Sequence, residues 1–70
     1  MDKVYIVCYK MANELDDIVV CTNLEAALKL LDKARKSKQI LEFNVVDGVS
    51  QESPEFVYYY NEVVLVKHRT

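Results

Sequence analysis

Glycine and proline are nearly missing from this 70-residue chain, which has one of each, Gly48 and Pro54. A single glycine excludes glycine-rich phosphate loops, which need at least two, and the scarcity of both residues excludes a loop-rich or collagen-like chain. Histidine is reduced to His68, third from the end. A general base must be held in place and chain ends fray, so no Ser-His-Asp set can be argued around it. The two cysteines, Cys8 and Cys21, lack the C-x₂₋₄-C spacing of a metal site. Each stands in an apolar, strand-like run, where a thiol acts as a small hydrophobe. Asp16 and Asp17 are adjacent in an extended segment, so their carboxylates point to opposite faces. No cofactor, metal or catalytic constellation emerges, and the reading is of a protein that is not an enzyme.

Long apolar runs are also missing. Nothing approaches the ~20 residues of a membrane span, and the start Met1-Asp2-Lys3 lacks the basic segment, apolar stretch and cleavage site of a signal peptide. The chain reads as cytoplasmic, with reduced cysteines and no membrane partner. An excess of one charge is missing too: nine Lys and Arg against eleven Asp and Glu leave a net charge of −2, which does not call for nucleic acid.

What is present is a globular composition, 51% hydrophobic and 29% charged, in a single domain over residues 1–70. A chain this small buries only about 60% of its extended surface and often gains stability from a partner. Val4–Tyr9 is β-branched and aromatic and predicts a strand apolar on both faces, Val4, Ile6 and Cys8 on one and Tyr5, Val7 and Tyr9 on the other. Asp17–Thr22 predicts its antiparallel neighbour, with a register pairing Cys8 and Cys21. Thr22-Asn23-Leu24-Glu25 fits a capping box with Thr22 as N-cap. Leu24, Ala27, Leu28 and Leu31 then recur at helical spacing, predicting a helix over about 23–37. Leu41–Val46 alternates, which predicts a strand with Leu41, Phe43 and Val45 inward and Glu42 and Asn44 outward. Asp47-Gly48 signals a type I′ turn. The run Glu55–Lys67 is one strand, or two around Asn61-Glu62. The fold class is α+β: a two-layer sandwich of one helix on a small, mainly antiparallel sheet, in the order ββα plus one or two C-terminal strands.

Two patterns point to partners. Lys29, Lys33, Lys36 and Lys38 crowd the second half of the expected helix, a possible phosphate or nucleic-acid contact, although cations there also suit the negative end of the helix dipole. The second pattern is surplus apolar surface. A continuous strand over Glu55–Lys67 would run about 43 Å, past the ~30 Å diameter of a globule this size. Val4–Tyr9 is apolar on both faces, and Leu30 and Ala34 widen the helix stripe. A homodimer answers all three, with an interface drawn from Leu30, Ala34 and one face of the last run: Phe56, Tyr58, Tyr60, Val64 and Val66, or alternatively Val57, Tyr59, Val63 and Leu65.

The strand Val-Tyr-Ile-Val-Cys-Tyr, its partner Asp-Asp-Ile-Val-Val-Cys, the helix start Thr-Asn-Leu-Glu-Ala-Ala-Leu and the tyrosine-rich final strand resemble the small YopT family of SPbeta-type Bacillus prophages, which is unrelated to the effector protease of the same short name. The resemblance covers the whole chain and implies a homodimer with one helix and three strands per monomer, no assigned function, and a host or phage protein as target. With only three strands, Leu41–Val46 would be the strand to give up. The sequence thus leads to a non-enzymatic, homodimeric, protein-binding module, the alternative being a weak nucleic-acid or phosphate binder.

Overall fold

The computed structural model describes residues 2–9, 18–34 and 37–70. The expected turn over 10–16, the Asp16-Asp17 pair and Lys36 lie outside these. The element order is β1 (Asp2–Tyr9), β2 (Val19–Cys21), α1 (Leu24–Asp32), β3 (Lys38–Val46), β4 (Val49–Ser50), β5 (Phe56–Asn61) and β6 (Val64–Arg69). The strands form one antiparallel sheet in the order β2-β1-β3-β5-β6, with β4 also paired to β3. An α+β chain is what the patterning implied. The six strands among the described residues exceed the three that the resemblance implies, and Leu41–Val46, the segment to be given up, belongs to the central strand.

α1 begins one residue later than the capping box suggested. Asn23, not Thr22, is the N-cap, with an extended backbone and a side-chain oxygen accepting from the Ala26 N–H at 2.8 Å. That bond satisfies one of the amide donors that a helix start leaves unpaired. The helix ends at Asp32 with Lys33 as C-cap, short of the expected residue 37. Its buried stripe is centred on Ala27 and Leu31, both 0% exposed, with Leu24, Leu28 and Leu30 packed beside them. Leu30 therefore serves the monomer's own core rather than a separate stripe; Ala34 lies just past the helix, half-buried.

Two hairpin turns among the described residues differ in how well their residues suit them. Asp47 and Gly48 have φ of 54° and 79°, the two positive angles of a type I′ turn. At the other, Asn61 pairs with Val64 and Glu62 takes a φ of 67°, a conformation disfavoured for any residue with a Cβ. This second turn folds the run Glu55–Lys67 back on itself. The molecule's longest extent is 36 Å, so the 43 Å overhanging strand does not exist and gives no argument for a dimer.

The observed registers revise the sequence reading in two more places. Tyr5, not Cys8, pairs with Cys21. Cys21 is buried and Cys8 half-buried, both as free thiols; they stand on opposite faces of the sheet, where no disulfide can join them.

The second revision concerns β3. Tyr5 is opposite Glu42 and Val7 opposite Ile40, so Ile40 and Glu42 face the helix. Leu41, Phe43 and Val45, expected inward, face away from it. Leu41, Phe43 and Val45 make the apolar series of β3, whereas the helix-side phase carries Ile40 followed by Glu42 and Asn44; alternation marks the apolar phase but cannot tell which phase a helix will cover.

Candidate interaction surface

Paired residues in a ladder point to the same side of a sheet, so the registers sort every strand residue to one of two faces. The helix-side face carries Tyr5, Val7, Cys21, Ile40, Glu42, Phe56, Tyr58 and Tyr60. The core consists of Tyr5, Val7, Cys21, Ala27, Leu31, Ile40 and Tyr58. Every buried strand residue belongs to this face.

α1 crosses β2, β1 and β3, with the Tyr60 hydroxyl donating to the Asp32 carboxylate at 3.2 Å. Beyond its reach the face is closed by side chains instead. Glu42, 3% exposed, accepts from the Tyr58 hydroxyl at 2.7 Å and from Lys3 Nζ at 3.0 Å. Lys67 Nζ sits 4.2 Å from the centre of the Phe56 ring and 5.6 Å from that of Tyr58. Asn44 donates to Glu55 at 2.6 Å, and Arg69 also reaches Glu55, at 3.4 Å.

A buried carboxylate needs such partners. Burial pushes the Glu42 carboxyl up, but the Tyr58 and Lys3 hydrogen bonds and the charges of Lys3 and Lys67 together outweigh it and hold Glu42 below the usual carboxylate range. Burial, with Glu42 as acceptor and negative neighbour, pushes the Tyr58 phenol far up. The hydrogen bond to Glu42, then its charge, raises Lys3. Glu42, Tyr58 and Lys3 are consumed by one another, so these three form a structural closure of the sheet corner, while Lys67 and Arg69 remain exposed at its rim. Glu42 was expected outward because the phase of β3 was taken from Leu41, Phe43 and Val45; the usable signal was Ile40, an apolar residue one position out of step with that series.

The opposite face is a different surface. Val4, Ile6 and Cys8 of β1, Val20 of β2, Leu41, Phe43 and Val45 of β3, Val57 and Tyr59 of β5, and Val64 and Val66 of β6 share it. Val20 and Val64 are 62% and 60% exposed, and the other members are half-buried by their strand neighbours. No described helix lies on it. Its polar members, Asp2, Gln39, Asn61 and His68, stand at strand ends.

The interface set foreseen from the sequence is therefore split. Phe56, Tyr58 and Tyr60 turn to the helix side, where Tyr58 is core. Val64 and Val66 lie on the uncovered face with Val57 and Tyr59, because the turn at Glu62 changes the phase between β5 and β6. From the alternate set, Leu65 points to the helix side and Val63 is 75% exposed in the turn. Of the lysines, Lys29 on α1 and Lys33 at its C-cap are both exposed, whereas Lys38 begins β3 and lies 5.3 Å from the Tyr9 ring centre.

Among the described residues, no group of His, Cys, Asp and Glu could hold a metal ion, and no helix is long and apolar enough to cross a membrane. Comparison with protein-family models, curated proteins and solved structures returned no match.

Proposed function

We propose that this protein is a non-enzymatic, cytoplasmic protein-binding module whose first partner is its own copy, joined through the uncovered face of the sheet. The carrying observation is the contiguous apolar face running from Val20 through Ile6, Leu41 and Val57 to Val66. Five strands at about 4.8 Å spacing and about 3.3 Å per residue make such a face on the order of 500 Å² before side-chain relief, the size at which exposed apolar patches mark interaction sites. Two faces buried together approach the ~1,200 Å² at which specific interfaces begin. Ionisable groups are confined to its rim, so self-pairing brings no like charges together at the centre. A two-fold axis lets one patch serve both copies.

Each subunit is then a two-layer sandwich, and the dimer stacks helix, sheet, sheet and helix, with the sheets about 10 Å apart. Light scattering at micromolar concentration should give twice the 8.1 kDa chain mass, and the melting temperature should rise with protein concentration. A mass near 8 kDa with a concentration-independent melt overturns the dimer. A host or phage protein, the target class that the prophage resemblance suggests, would bind the assembled dimer.

A further inference from the structure

The sheet ends in two unlike edges. β2 offers only three residues, whereas β6 offers six, with no proline, glycine or break in register. In a hairpin closed by the pair Asn61–Val64, the backbone groups of Val64, Val66 and His68 turn toward β5, and those of Leu65, Lys67 and Arg69 turn outward. Among the described residues, no strand pairs with that outer edge. Such a row of amides and carbonyls is a template for an added strand.

Its side chains specify which strand. The edge is aliphatic in its first half, Val64-Leu65-Val66, and cationic in its second, with Lys67 and Arg69. We propose that β6 binds an extended peptide segment of a partner protein by strand addition, and that this segment is acidic in its first half and aliphatic in its second. Antiparallel addition sets the acidic residues opposite Lys67 and Arg69 and the aliphatic ones beside Val64 and Val66. A second copy of β6 fits less well: only outward-turned residues can pair, so antiparallel pairing about the strand centre sets Lys67 opposite its own copy and Arg69 opposite Leu65, with no counter-charge. The inference rests on the reading of this protein as a protein-binding module and names the chemistry of the partner.

The test uses a fluorescein-labelled hexapeptide of three acidic then three β-branched residues, titrated by anisotropy against the full chain, with light scattering on the same samples. Binding is expected, weakened about tenfold or more by K67E/R69E and abolished by N-methylation of alternate peptide amides. The K67E/R69E variant should instead prefer a basic-then-aliphatic peptide, a gain that misfolding cannot imitate. No binding, or binding that survives N-methylation, overturns the strand-addition proposal. A monomeric mass with peptide binding intact overturns the dimer alone, and a dimeric mass without peptide binding overturns this proposal alone.

Discussion

Ile40 and Leu41 are neighbours in β3, both aliphatic, and they end in opposite surroundings. Ile40 is 0% exposed beneath α1; Leu41 is half-buried on a face that no described element covers. The same division runs through Val7 and Ile6, and through Tyr58 and Val57. One helix has enough apolar surface for one face, so a sheet apolar on both faces retains the second. The difference shows that apolar character alone does not define the monomer's core. The core is whichever phase the helix and the Glu42 corner close.

The sharpest way to break this comparison is to place one charge on each side of it. Ile40→Asp puts an unpaired carboxylate into the core, which costs several kcal/mol and should abolish the cooperative thermal transition seen by circular dichroism. Leu41→Asp should keep the far-ultraviolet spectrum but halve the mass seen by light scattering. Equal loss of structure in both variants would mean that the two faces are not distinct.

Next in size is the corner beyond the helix. Tyr58→Phe removes a donor from buried Glu42 and should cost about 1–3 kcal/mol, read from urea unfolding at neutral pH.

The same corner predicts a pH dependence. Glu42 is held below its ordinary value of 4.5, so the stability it contributes is present above that value and lost as pH falls through the lower, folded-state one. Tyr58 and Lys3 are raised above 10.0 and 10.5, so theirs is present below those values and lost as pH rises beyond them. Urea midpoints should decline at both ends, and Glu42→Gln should flatten the acid limb.

The smallest effect is expected at the second hairpin. Glu62→Gly relieves a positive φ and should stabilise the fold by at most about 1 kcal/mol, visible as a slightly higher melting temperature with unchanged mass.

Much of the fold was legible in local chemistry. The β-branched run over Val4–Tyr9, the helical spacing of Leu24, Ala27, Leu28 and Leu31, and the Asp47-Gly48 turn each specify their element through backbone and side-chain preferences that act within a few residues. Less of the candidate surface was legible. Its raw material, two-sided apolar strands, was visible, but the residues assigned to it were partly those of the core. A strand's phase depends on which face another element covers, and that is a long-range choice.

The sequence by itself therefore determined most of the elements and the surplus of apolar surface, because periodicity, capping and turn geometry are short-range. Only the tertiary structure decided three further matters: the burial of Glu42 against Tyr58 and Lys3, the separation of Cys8 from Cys21, and the phase change at Glu62 that parts Phe56, Tyr58 and Tyr60 from Val64 and Val66. Each depends on register between strands, and a shift of one residue exchanges the two faces of a sheet.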